Sequence, residues 1–125
     1  MSRQMEARAI NQGDVFWVSP EALRPAVEGH AHPHVILQAD VFNHSRIPTV
    51  VVCALSTNMK RATEPGNVVL DEGEANLPKQ SVAVVSQIST VEKDQLGAYV
   101  GRLTEERVQQ LLDGLTFQQR SFFDR

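Results

Sequence analysis

From Thr49 to Leu55, with Val50-Val51-Val52 at its centre, apolar residues occupy consecutive positions instead of alternate ones. Side chains on a strand point by turns to its two faces, so a strand made from this run is apolar on both. The neighbouring segments read as its partners. Val15-Phe16-Trp17-Val18 is a β-rich run entered through the turn signal Gly13-Asp14 and closed by Ser19-Pro20. His30-Ala31-His32-Pro33-His34 opens a second strand, which reads from His34 to Ala39. Asn67 to Leu70 is a short fourth strand between Pro65-Gly66 and the acidic turn Asp71-Glu72-Gly73-Glu74. Ser81 to Val91 is a fifth and Tyr99 to Leu103 a sixth, with a single helical turn over Glu92 to Leu96. The stretch from Ser19 to Pro33 has no sustained period and reads as a long loop, the kind of segment that often carries function. Asp40 to Pro48 is a polar connection.

Only the C-terminal part has a helical pattern. Thr104 can cap it, Glu105 and Glu106 suit the positive end of its dipole, and Val108, Leu111, Leu112 and Leu115 form the apolar stripe. Gly114 is expected to weaken the helix near its end, and the aromatic tail 116–125, with Phe117, Phe122 and Phe123, is expected to pack on the body or on a partner subunit. Residues 1–12 read as a loose lead-in. The expectation is one domain over 1–125, mainly β with a C-terminal helix, as a small, strongly bent barrel or sandwich.

Composition narrows the function classes. With 42% hydrophobic and 22% charged residues the chain is set apart from disordered and fibrous proteins. No apolar run approaches the ~20 residues that cross a bilayer, and Met1 to Ile10 has no apolar signal core, so a cytoplasmic protein is expected. The single cysteine, Cys53, lies inside an apolar run and reads as a buried, inert thiol. A net charge of −3 argues against a broad phosphate-binding surface but leaves room for a local basic groove.

The order Gly13-Asp14-Val15-Phe16-Trp17-Val18, a long loop into Pro33 and a strand ending in Asp40, then Val52-Cys53-Ala54-Leu55-Ser56-Thr57-Asn58, resembles the MazF/PemK toxin family. Leu77-Pro78-Lys79-Gln80-Ser81-Val82, Ser86-Gln87-Ile88-Ser89-Thr90-Val91-Glu92-Lys93 and Gly101-Arg102-Leu103-Thr104 continue the pattern, which runs from about Gly13 to Leu115. The resemblance implies an SH3-like barrel of the MazF/PemK type, shared with CcdB-like toxins, and a homodimer. It also implies a metal-independent endoribonuclease with no cofactor, an mRNA interferase that cuts single-stranded RNA at short sequences. The implied partners are RNA and a protein antitoxin whose disordered tail occupies the RNA groove and folds on binding.

Two positions depart from the family pattern. His32-Pro33 stands where the family has Arg-Pro, whose arginine is catalytic, and Ser89 stands where an arginine or lysine commonly follows Gln-Ile. Cleaving RNA without a metal needs a base for the 2′-OH proton, an acid for the 5′ oxygen and donors for the charged phosphorane. Histidine, with an ordinary pKa of about 6.5, serves as acid or base near neutrality. His32 is therefore the first candidate for acid or base. By alignment Ser56 matches the family's catalytic Thr or Ser and is expected to hold the scissile phosphate. His30, His34, Thr57, Asn58, Lys60, Arg61 and Gln87 are candidate RNA contacts, with Lys60-Arg61 the nearest source of positive charge. Glu28 lies in the loop where some members place an acidic catalytic residue.

Plainer readings exist for each. A histidine beside a proline at a strand start is often structural, and a serine ending a buried strand often closes its backbone hydrogen bonds. A Lys-Arg pair is by default a solvated turn. Three histidines on alternate residues also invite a shared metal ion, although no Cys or carboxylate motif accompanies them. The main alternative in function is a catalytically weak or inert relative that keeps the barrel as an RNA- or protein-binding module.

Overall fold

The computed structural model describes residues 9–24, 26 and 29–120. Six antiparallel strands form one sheet: β1 (Asp14–Val18), β2 (His32–Ile36), β3 (Thr49–Ser56), β4 (Val68–Leu70), β5 (Ser81–Glu92) and β6 (Tyr99–Arg102), in the order β4-β5-β3-β2-β1-β6. Two α-helices accompany them, the single turn α1 (Asp40–Asn43) and the long α2 (Glu105–Arg120). The expected mainly β fold with a C-terminal helix is present.

The doubly apolar run became β3, at the middle of the sheet between β2 and β5. Its two faces bury different clusters. Cys53 and Leu55 join Val15, Val35, Leu70, Leu103 and the α2 residues Val108 and Leu111 on one side. Val50 and Val52 join Phe16, Val18, Ile36, Val91 and the loop residues Ala22 and Leu23 on the other.

β5 is bent by a register change. Cys53 pairs with Ile88 and Leu55 with Ala83, so the four residues Val84–Gln87 stand opposite Ala54 alone. Such an excess of residues on one strand bends it and increases its twist. The bend lets β5 pair with β4 through Ser81–Ala83 while Ile88–Glu92 stay on β3. Across the free edge of β6, a 3-10 turn at Glu74–Asn76 leans on Gly101, where any Cβ would strike the Ala75 carbonyl, and Asn76 Nδ2 donates to the Val100 carbonyl at 3.1 Å.

Several boundaries differ from expectation. β2 starts at His32 and ends at Ile36, not at His34 and Ala39, because its pairing with Trp17 and Val18 of β1 draws His32 and Pro33 into the strand. The connection after it contains α1, whose C-terminal carbonyls receive the ammonium of Lys93: Nζ donates to Asn43 and Ser45 oxygens at 3.0 and 3.1 Å. Asn11 and Gln12 are not loose. Gln12 donates its backbone N–H to Asp40 Oδ1 and its side-chain amide to the Leu37 carbonyl, at 2.6 and 2.7 Å. The helix continues through Gly114 to Arg120, with Phe117 exposed. Gly114 serves close approach instead, since a side chain there would strike the Gly66 carbonyl in the loop ahead of β4. Phe122 and Phe123 lie outside the described residues.

Candidate functional site

The starts of β2 and the end of β3 meet at one end of the sheet. His34 faces Ala54 and Val35 faces Cys53; the same register carried two residues further sets His32 opposite Ser56. On the other flank His32 faces Val18 and His34 faces Phe16. Cross-strand partners share a face, so His32, His34, Ala54 and Ser56 lie on one side of the sheet, continuous with the cluster around Ile36 and Val52. Gln87 is exposed within the bend of β5 that stands opposite Ala54. His30 is also exposed, but it precedes the strand.

The two strand histidines differ in environment. His32 is open to solvent, whereas His34 is only 3% exposed. His34 Nδ1 lies 3.0 Å from the His32 carbonyl oxygen. A carbonyl can only accept, so Nδ1 carries the hydrogen and Nε2 keeps its lone pair. Burial, the largest influence, pushes the His34 pKa below the ordinary imidazole value; the carbonyl bond opposes this and the nearby His32 ring adds to it. His34 is therefore a neutral imidazole of fixed tautomer at pH 7.

Beyond β3 the chain turns tightly. Ser56 Oγ accepts the Asn58 backbone N–H at 3.0 Å, which leaves its own hydroxyl hydrogen available to an anion. Asn58 Oδ1 accepts the Lys60 N–H at 3.1 Å and caps a 3-10 turn over Met59–Thr63. Thr57 and Asn58 are exposed, as is Lys60, which has no ion-pair partner among the described residues. Arg61 is committed elsewhere: its Nε donates to Glu64 Oε2 at 2.9 Å, and the guanidinium holds the Glu64 carboxyl below its usual range. Arg61, a candidate source of free positive charge by its sequence, is therefore not free but paired with Glu64. The i, i+3 spacing of the two was the signal that could have found it.

Comparison with known proteins decides the lineage. The family described as "PemK-like, MazF-like toxin of type II toxin-antitoxin system" matches residues 11–118. The chain belongs to this family. It is 30% identical over 109 residues to "Endoribonuclease MazF6" of Mycobacterium tuberculosis, covering 85% of this chain and 93% of that protein. "Endoribonuclease MazF2" of Mycobacterium bovis matches to the same extent, 30% over 109 residues. A mycobacterial endoribonuclease solved with its cognate antitoxin shares the fold, with a TM-score of 0.72 at 23% identity over 89% of this chain and 95% of that one.

Within this MazF-like chain the metal reading loses its geometry. β2 begins at His32, so only two of the three alternate histidines share an extended face, and among the described residues no group of three or more His, Cys, Asp or Glu is placed to hold an ion. Cys53 is fully buried, donates to the Val84 carbonyl at 3.2 Å and has its pKa pushed up to about 12 by burial, which makes it inert as expected. A cavity of about 340 Å³ lies at the opposite end of β1, lined by Gln12, Asp40, Arg102, Glu105 and Val108. Its cation is already spoken for, since Arg102 Nε donates to the buried Asp14 at 2.8 Å. Glu28 lies outside the described residues.

Proposed function

We propose that the chain is a sequence-specific endoribonuclease toxin that cuts single-stranded mRNA by attack of the 2′-OH on the adjacent phosphate. The products are a 2′,3′-cyclic phosphate and a 5′-OH. The observation that supports the site is the pairing of His34 with Ala54, which, carried two residues further, turns His32 toward Ser56 beside the exposed Thr57, Asn58 and Lys60. Ser56 donates its hydroxyl to a phosphate oxygen. His32 moves a proton, and His32-Pro33 marks a subgroup in which an imidazole stands in place of the family's guanidinium. An imidazole carries charge only when protonated and presents no bidentate fork, so phosphate is gripped less firmly than by arginine. Lys60 supplies the permanent positive charge at the site, and Gln87, with the amide of Asn58, reads base edges. His30 contacts the RNA backbone from the loop ahead of β2.

The relatives' names support the reaction class, and the relative solved with its cognate antitoxin supports a protein antitoxin for this chain. The toxin works in the cytoplasm as a homodimer, and the exposed Phe117 on α2 contributes to the contact with the second subunit.

The test is incubation of purified protein with a long single-stranded RNA in EDTA, beside His32→Ala, with fragment ends mapped. Cuts at one short sequence ending in cyclic phosphate, absent in the variant and blocked by a single 2′-deoxy substitution at the cut, are expected. Intact RNA, or cutting of the 2′-deoxy site, would remove the mechanism and leave a barrel that binds RNA or protein without catalysis.

A further inference from the structure

Two imidazoles sit on one face of β2, and the geometry points to a division of labour between them. We propose that His34 Nε2 is the base that takes the 2′-OH proton, while His32 is the acid that protonates the leaving 5′ oxygen. This rests on the ribonuclease reading above and assigns His34 a catalytic role rather than an RNA contact.

The first support is the fixed tautomer. Because Nδ1–H is held by the His32 carbonyl at 3.0 Å, the lone pair is always on Nε2. That bond runs to a residue two positions earlier, toward the end of the strand where Ser56 lies. The second support is access. Nε2 has no hydrogen-bond partner among the described residues, and none of their buried side-chain nitrogens or oxygens lacks one. Nε2 is therefore not fully enclosed. The third is room. The residue facing His34 on β3 is Ala54, half-buried and small, and the β5 segment that stands opposite Ala54 ends in the exposed Gln87.

The surroundings keep the base neutral. Phe16 and Ala54 face it from β1 and β3 without charge, and Tyr99 stands one strand further out with its ring edge-on to Phe16. The guanidinium of Arg24, from the loop covering this side, is turned to the carbonyls of Glu21 and Leu23. The nearby titratable group that acts on the ring is His32, and protonating both rings at once would place two like charges about 7 Å apart. Of the two rings, the buried one is the one held neutral.

The step balances. The 2′ oxygen bonds to phosphorus as its proton passes to His34 Nε2; the bond from phosphorus to O5′ breaks with its electron pair on O5′, which takes the proton of His32. Ser56 holds a non-bridging oxygen throughout. Water returns the proton from His34 to His32 after the products leave.

An RNA whose scissile 5′ oxygen is replaced by sulfur separates the roles, since thiolate leaves without an acid. The comparison uses the full-length protein, His32→Ala and His34→Asn, whose amide nitrogen can still donate to the His32 carbonyl. His34→Gln provides a second variant, and binding of the uncleavable 2′-deoxy RNA shows that each variant is folded. The expected result is a loss of about 10²–10⁴-fold in kcat for each variant on ordinary RNA, with KM little changed. On the sulfur substrate His32→Ala should recover most of its rate and His34→Asn should not. In the wild type kcat should fall on acidification, and this limb should vanish in His34→Asn. Recovery by His34→Asn instead, or cutting at wild-type rate by both His34 variants, would overturn the assignment while the ribonuclease reading stands. A wild type that leaves both substrates intact would remove the two together.

Discussion

On the side of the sheet that carries Cys53 and Leu55, α2 lays Val108 and Leu111 over the strands, and its own Arg107 is paired with Glu74 at 2.8 Å. On the side that carries Ala54 and Ser56, the described cover is a 3-10 turn at Pro20–Ala22 with Leu23, His32 is exposed, and the buried His34 keeps one nitrogen without a partner. A shared strand, β3, thus serves two purposes through its alternate residues. The helix side pairs its charged groups, whereas on the loop side the exposed His32 ring and one nitrogen of His34 have no partner among the described residues. Unpartnered groups cost stability, and an enzyme tolerates that cost where substrate will supply the missing partner.

The contrast can be broken first by exchanging the two kinds of damage. His32→Ala should reduce RNA cleavage by about 10²–10⁴-fold while leaving unfolding free energy within about 0.5 kcal/mol of wild type. Leu111→Ala should do the reverse. Its side chain is fully buried, so truncation should cost about 2–5 kcal/mol in denaturant unfolding, with cleavage per folded molecule unchanged. If Leu111→Ala abolished cleavage at temperatures where the chain remains folded, the two sides would not be independent.

Acid should sharpen the same contrast by separating the sides along the pH axis. Native His34 resists a proton that the unfolded chain accepts below about 6.5, so stability should decline as pH falls through that value and the decline should flatten in His34→Asn. Glu74 is held below its usual value of 4.5 by the Arg107 guanidinium; its contribution is present above that value and is lost as pH falls further. Unfolding curves between pH 8 and 3 should therefore show a histidine region and then a carboxylate region, and Glu74→Gln should flatten only the second. The smallest effect belongs to the loop after β3. Lys60→Gln should weaken RNA binding and reduce the slope of log K against log salt by about 0.7, whereas Arg61→Gln should change it less because Arg61 is held by Glu64.

Much of this arrangement was legible in the sequence where residues speak for themselves. Consecutive valines defined β3, the i, i+3, i+4, i+7 stripe defined α2, and the turn signals bracketed β1 and β4. What escaped was set by contacts between distant segments. Local preference put the start of β2 at His34, and pairing with β1 moved it to His32. Gly114 read as a helix weakener because its partner, Gly66, is almost fifty residues away in the chain. At the site, alternation placed His34 on the face of Ile36, but its tautomer depends on the His32 carbonyl, a backbone atom that no residue pattern reveals. Arg61 is the local exception, since its partner Glu64 lies only three residues on.

The contact between Gly66 and Gly114 ties two parts of the molecule that have different work to do. Gly66 follows the turn that bears Lys60 and Arg61, and Gly114 lies on the helix that roofs the opposite side. With no Cβ on either, backbone rests directly on backbone, and there is no compressible side chain between them to absorb movement. Whatever shifts the second half of α2, a bound protein included, must carry the residue 59–67 loop with it or open a gap. The helix is thus a handle on the rim of the proposed RNA site, reached from the opposite side of the sheet.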